Sequence, residues 1–294
     1  MRAAATISVA LLLLCHTRSA SAGSWTQPQG SVWFKSAFLY HLSAEQFAPT
    51  AAVLEDGTPV ERGDRRPFND DGSMRVRVLW SEAEYGLHER VTLGVQLPYY
   101  DLRFEDRFQR TDSWGIGDIR FTGRIALLDG AHRLSARGAW KLPAGKAATD
   151  PDDVPLSEGQ HDLEAGLQYG HSLGRDLSWV GIEGGYRWRR HDEETGRDPG
   201  NEWLWNVELG HALSGSLPLA LRVAWSGLRG DETRDENLGI VPGQRRFHDL
   251  GAGLIYRWTA WIFETGLTHT VSGEAFPAGT SWNVGISRAF QLRG

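Results

Sequence analysis

The sequence is short of the features that commonly stabilise an exported or membrane-bound chain. Its one cysteine, Cys15, sits inside an N-terminal apolar stretch, so disulfides are excluded as a source of stability for everything that follows. Beyond residue 14 no apolar run approaches the roughly 20 residues that a membrane-spanning helix needs. Only three lysines, Lys35, Lys141 and Lys146, stand among 31 basic residues, and the formal net charge is −6. That acidic balance argues against a nucleic-acid partner. Mean hydropathy is −0.38, which excludes a helical membrane protein.

What is present points elsewhere. Met1-Arg2, an apolar core over residues 3–14 and a polar stretch ending in Ala20-Ser21-Ala22 form a secretory signal peptide, with cleavage expected after Ala22. Leu14 precedes Cys15 where lipoprotein processing wants a small side chain, so the cysteine is expected to leave with the leader. Two domains are thus expected, a leader over 1–22 and one folded unit over 23–294. That unit is rich in tryptophan and glycine, 13 and 35 respectively. A membrane barrel reconciles the low hydropathy with this aromatic content, because its strands alternate lipid-facing and lumen-facing residues.

The alternation is sustained. Val91, Leu93, Val95, Leu97 and Tyr99 are separated by Thr92, Gly94 and Gln96. Leu134, Ala136, Gly138, Trp140 and Leu142 oppose Arg133, Ser135, Arg137 and Lys141. Successive side chains of a strand point to opposite faces, so each segment has one greasy and one charged side. Charged residues inside a sandwich would be ruinous; a wet lumen accepts them. Twelve such strands are expected near 30–43, 72–86, 90–104, 115–127, 132–143, 159–172, 176–190, 201–213, 218–229, 246–258, 260–270 and 279–291. Long connections at 44–71, 105–114, 144–158, 191–200, 230–245 and 271–278 alternate with tight turns, as external loops alternate with periplasmic turns. The fold class is therefore all-β, a transmembrane antiparallel up-and-down β-barrel of about twelve strands in the outer membrane of a Gram-negative cell. In the second strand Met74, Val76, Val78 and Trp80 align, but Glu82 and Glu84 fall on the same face, and a bulge, or an end of the strand beyond the membrane, is expected there. The last strand carries Trp282, Val284, Ile286 and Phe290 in one register; barrel-assembly machinery reads a terminal aromatic, and here Phe290 is followed by Gln291-Leu292-Arg293-Gly294, a departure from that pattern.

Several motifs occur in order: Ser24-Trp25-Thr26-Gln27-Pro28-Gln29-Gly30, Tyr85-Gly86-Leu87-His88-Glu89-Arg90, Gly115-Ile116-Gly117-Asp118-Ile119-Arg120, Trp140-Lys141-Leu142-Pro143-Ala144-Gly145 and Gly184-Gly185-Tyr186-Arg187-Trp188-Arg189. This string resembles the outer-membrane "transporter" family named after the meta pathway of phenol degradation, and the related XagA-like proteins. The resemblance implies an outer-membrane barrel with a transport role, associated in some relatives with hydrocarbon catabolism and in XagA with surface polysaccharide. It carries no binding residues.

Function is expected in the lumen. The basic inward positions are Lys35, Arg75, Arg77, Arg120, Arg124, Arg133, Arg137 and Lys141, mostly on strands two, four and five. The acidic ones are mainly Asp162, Glu164, Glu183, Glu202 and Glu208, on strands six to eight, and Asp118, Arg187, Arg222, Arg257 and Glu264 complete the lining. Segregated signs would set a field across a pore; the competing expectation is that these charges pair and fill the barrel. Twelve strands lie between the side-chain-filled barrels of about eight and the water-filled ones of about sixteen. His41-Leu42-Ser43 has the spacing of barrel lipases, but both functional groups fall on the inward face, so no enzyme is expected. The acidic clusters Asp150, Asp152, Asp153 and His191-Asp192-Glu193-Glu194 read as solvated loops, with divalent ions bridging to lipopolysaccharide as the alternative. Tyr40, Trp80, Tyr99, Tyr169, Trp188, Trp203, Trp258, Trp261 and Trp282 read as interfacial girdles. No cofactor and no metal site is expected. The expected partners are outer-membrane lipid and lipopolysaccharide, barrel-assembly machinery and a small solute. The expected function is a channel for passive uptake of a small aromatic or hydrophobic solute. The alternatives are an accessory barrel for polysaccharide secretion and a structural barrel with a blocked lumen.

Overall fold

Period-two patterning leaves each segment with an apolar face it cannot expose to water, and strands relieve this by pairing side by side and closing on themselves. A computed structural model describes residues 23–53, 57–146, 154–174, 178–191, 196–213, 218–235, 239–241 and 244–292. Twelve strands form the wall: β1 (Ser31–Ser43), β2 (Ser73–His88), β3 (Val91–Glu105), β4 (Arg110–Ile116 continued as Ile119–Leu128), β5 (His132–Leu142), β6 (Asp162–Ser172), β7 (Trp179–Arg189), β8 (Glu202–Ala212), β9 (Leu219–Gly230), β10 (Arg246–Trp258), β11 (Trp261–Glu274) and β12 (Gly279–Gln291). Each pairs antiparallel with its chain neighbours, and β1 pairs with β12 from Ser31 opposite Gln291 to Leu42 opposite Thr280. The cylinder has no free edge, which is what hydrocarbon demands, since an unpaired backbone group there costs several kcal/mol.

Three expectations are corrected. Residues 105–114 are not a long loop: Arg110–Ile116 is strand, paired with Tyr99–Glu105, so β3 and β4 form a hairpin raised past the last β4–β5 pair, Ile119 opposite Leu142. Residues 271–278 hold the end of β11 and a two-residue strand, Phe276–Pro277, that pairs with Glu45–Phe47. The irregularity in β2 lies at Gly86/His88 rather than at Glu82 and Glu84. A second irregularity does fall within the Gly-Ile-Gly-Asp motif: Tyr99 opposes Ile116 while Gln96 opposes Arg120, so β4 has one residue more than β3 around Gly117-Asp118. Pro98, which has no N–H to donate, sits opposite that break.

The outer surface carries exposed apolar side chains on all sides, among them Leu93, Leu97, Leu163, Leu167, Ile182, Leu209, Val223, Leu254, Leu267 and Val284. Tyr99, Trp188, Trp203, Trp258 and Trp282 are exposed on the same surface near strand ends. Trp80 is a correction to the girdle: it is on the inner face, packed against the buried cluster of Val76, Val78 and Tyr100. Leu167 stands half-exposed in the middle of β6. Leu167→Arg is expected to destabilise the barrel by about 2–4 kcal/mol, the cost of a cation at mid-bilayer. Urea titration in lipid vesicles checks this; an unchanged midpoint would remove Leu167 from the lipid face.

Candidate functional site: the barrel lumen

Alternation puts Lys35, Asp118, Arg120, Arg124, Arg133, Arg137, Lys141, Asp162, Glu164, Glu183, Arg187, Glu202, Glu208, Arg222 and Glu264 on the inner face. Arg257 keeps that parity but is exposed at the turn end of β10. Arg75 and Arg77 are corrections. On β2 the inward side chains are Met74, Val76, Val78, Trp80, Glu82 and Glu84, and the two arginines lie outside, ion-paired with Asp101. The upper half of β2 rises above the apolar band, where the wall is wet outside and packed inside, so its polarity is inverted relative to a membrane segment.

The inward charges do not form two opposed walls. They interlock. Glu164 on β6 accepts from Arg120 of β4 at 2.6 Å, from Arg187 of β7 at 2.6 Å and from Arg137 of β5 at 3.2 Å. Arg187 continues to Glu202 at 2.7 Å. Lys141 Nζ is enclosed by Asp118 at 2.9 Å, Glu158 at 3.1 Å and Asp162 at 3.2 Å. Arg189 bridges Glu158 at 2.7 Å and Glu202 at 3.1 Å, and Arg245 joins the same two carboxylates. On the far side Lys35 pairs with Glu264, and Arg124 with Glu84 at 2.9 Å. Buried charges persist only when such partners offset desolvation. Glu82, Glu84, Glu158, Arg189 and Arg245 were not anticipated as lumen residues. Glu82 and Glu84 were visible as the charged continuation of the Met74 face, and Arg189 as the residue two beyond Arg187. Glu158 and Arg245 come from loops, where no periodicity marks an inward side chain.

Above this network the lumen is apolar. Leu39, Met74, Val76, Val78, Tyr100, Leu102 and Phe104 line the β1–β3 side and enclose Val154 and Leu156, delivered by the connection from β5 to β6. Leu-Pro ends β5 at Leu142, and the chain then folds inward, where Lys146 O accepts from the Leu156 and Ser157 amides. Where the apolar and charged zones meet, a cavity of about 30 Å³ is lined by Trp80, Pro98, Tyr100, Asp118, Arg120 and Lys141. That volume suits one or two waters. The indole N–H of Trp80 has no hydrogen-bond partner among the described residues, and the Asp118 carboxylate is held by the Lys141 ammonium at 2.9 Å.

At the opposite end Ser24–Gln29 lies inside the barrel. Ser135 donates to Ser24 O at 2.5 Å, Arg124 to Trp25 O at 2.7 Å, and the Gln27 amide to Thr92 at 2.7 Å, while the Gln27 side chain donates to Glu84 at 2.8 Å. Trp25 has Arg133 over its ring on one side and packs against Trp179, Ala220 and Ile255 on the other, so it reaches from β5 to β10. Glycine makes the room: a β-carbon on Gly170 would collide with the Ser24 hydroxyl and the Trp25 indole, and one on Gly86 with the carbonyls of Gln27 and Pro28. Both mouths of the lumen are thus covered by segments that are not wall.

The lipase-like spacing is not a dyad. Ser43 Oγ bonds to the carbonyls of Glu45 and Ala278, whereas His41 Nδ1 lies 3.1 Å from Ser281 Oγ. Of the acidic clusters, Asp150, Asp152, Asp153 and Asp192-Glu193-Glu194 lie outside the described residues. Among the described residues no group of three His, Cys, Asp or Glu is arranged to hold a metal ion.

Residues 73–284 match the sequence profile of a family described as the MetA-pathway of phenol degradation. No curated protein matches the sequence. The structure is similar to that of an outer membrane channel from Pseudomonas putida F1, with a TM-score of 0.71 at 17% identity, covering 93% of this chain and 100% of that one. It is also similar to the translocator domain of the autotransporter NalP from Neisseria meningitidis, with a TM-score of 0.51 at 14% identity, covering 92% of each chain. At these identities the likeness concerns the barrel itself.

Proposed function

The chain belongs to the MetA-pathway of phenol degradation family, and from that premise we propose that it is an outer-membrane channel for passive uptake of a small solute, aromatic or otherwise hydrophobic. The leader over residues 1–22 would direct export, and the apolar outer band would hold the barrel in the bilayer. The observation that carries the reading is the closure of both mouths by chain segments. A barrel built only as scaffold has no need of glycines at 86 and 170 that admit a removable insert. The aromatic side chains Trp80, Tyr100 and Phe104, packed here around Val154 and Leu156, lead down to the unpartnered Trp80 indole N–H and the Lys141-paired Asp118 carboxylate; with that loop withdrawn, they would suit a ring bearing a hydroxyl. The family's description and the channel from Pseudomonas putida F1 favour the same reading.

The interlocked ion pairs favour the rival reading, a barrel whose lumen is permanently filled. Single-channel recording in planar bilayers separates the two, comparing the chain from Gly23 with one lacking Ser24–Gln29. The shortened form is expected to open at least several-fold more often. If both forms are folded, as shown by heat-modifiable migration, and neither conducts, the channel reading falls. Adding 4-hydroxybenzoate to the conducting form tests the solute class: a block of the ion current supports an aromatic solute, and an unaffected current removes it.

A further inference from the structure

The outward arginines displaced from the lumen form an ordered group. On the outer face of β2, β3 and the raised part of β4 lie Arg75, Arg77, Arg103 and Arg110, with Asp101 and Asp112 between them. Directly below, the same face carries Leu79 opposite Tyr99, and Tyr99 opposite Ile116, all three exposed. The next level up reads Trp282, Tyr40, Arg77, Asp101 and Trp114 across five neighbouring strands. Above that come Leu42, Arg75, Arg103 and Asp112. The guanidinium groups therefore begin where the apolar band gives way to aromatic side chains, which is the depth of lipid headgroups.

The charges in this group do not balance internally. Asp101 is shared by Arg75 at 3.6 Å and Arg77 at 3.2 Å. Asp112 is shared by Arg103 and by Arg110 at 2.9 Å. Two carboxylates thus serve four guanidiniums, and a surplus cation remains even when Glu105, at the upper edge opposite Arg110, is counted. Arg75 and Arg103 are direct cross-strand partners, an arrangement of like charges that destabilises a sheet unless an anion lies against both. Arginine presents a planar fork that matches the oxygens of a phosphate two at a time.

We propose that this outer face binds the phosphate headgroup of a phosphorylated outer-leaflet lipid of the lipid A type, with Arg75 and Arg103 gripping one phosphate and Arg77 and Arg110 flanking it. The ligand is the lipid rather than free phosphate, because the acyl chains below the headgroup would lie along Leu79, Tyr99 and Ile116. The site rests on the outer-membrane placement of the barrel and is independent of whether its lumen conducts.

The test measures binding of bisphosphorylated lipid A to the detergent-solubilised full-length protein, beside the double variant Arg75→Gln, Arg103→Gln. The variant is expected to bind about twentyfold more weakly, as fits two surface cations lost from a lipid phosphate. Dephosphorylated lipid A is expected to bind both forms equally weakly, and Arg75→Lys is expected to fall between. Equal binding of lipid A by both forms overturns the site, and competition by millimolar inorganic phosphate as effective as that by lipid A overturns its assignment to a lipid. Heat-modifiable migration establishes that each variant is folded. Channel current in planar bilayers is expected to be unchanged in the double variant, so failure of the lipid site and failure of the channel reading remain separate results.

Discussion

Glu164→Ala is expected to destabilise the barrel by about 3–5 kcal/mol, the cost of removing one partner from a buried ion pair. Glu164 is the point where Arg120, Arg137 and Arg187 converge, at 2.6, 3.2 and 2.6 Å. Without its carboxylate three guanidiniums would face one another in a water-poor interior; Arg187 would keep Glu202 at 2.7 Å and Arg137 only the more distant Glu183 at 3.5 Å. The loss is therefore mostly the penalty of stranded cations rather than of missing attraction. Urea titration followed by heat-modifiable migration reads the change. A shift below about 1 kcal/mol, the size expected of an exposed pair, would mean that water reaches this part of the lumen freely.

Gly170→Phe is expected to expel the N-terminal segment while sparing the wall. Position 170 faces the lumen in β6, and a side chain there would occupy the volume of Ser24 and Trp25. Overpacking of this kind costs about 1–3 kcal/mol, which corresponds to roughly 5- to 150-fold in the seated population. The segment is held by a handful of hydrogen bonds to Ser135, Arg124, Thr92 and Glu84 and has no strand partners of its own, so it is the element that yields. Chymotrypsin cleavage after Trp25 is the measurement. Cleavage as slow as in the unaltered protein, in a folded barrel, would show that the segment does not sit against β6.

The twelve strands were legible because lipid on one side and polar groups on the other impose a two-residue rhythm on every crossing. The rhythm misled where the surroundings change. Met74, Val76, Val78 and Trp80 have the look of a lipid face, yet they point inward because loop residues Val154 and Leu156 give the raised part of the barrel an apolar interior. Glu82 and Glu84, continuing the same face downward, carry the contrary signal: neither a bulge nor a strand end is needed once the whole face is turned inward. The lumen charges were legible by position but not by pairing, since neighbours on a cylinder are set by hydrogen-bond register and side-chain reach rather than by strand number. Arg120 and Glu164 meet across two strand intervals. The seven residues from Ser24 to Gly30 are too few and too irregular to show a period, so their place inside the barrel had no signature beyond the glycines that receive them.

The seat of Trp25 has a practical consequence for anyone producing this protein. Gly23 lies against Gln168 and near Glu183, deep within the cylinder. An affinity tag fused directly ahead of Gly23 must either thread past those side chains or drag the indole off its platform, whereas Leu292, at the far end of the described residues, is exposed. Tagged at the front, the protein would be purified with its stopper pulled; tagged at the back, it would keep it in.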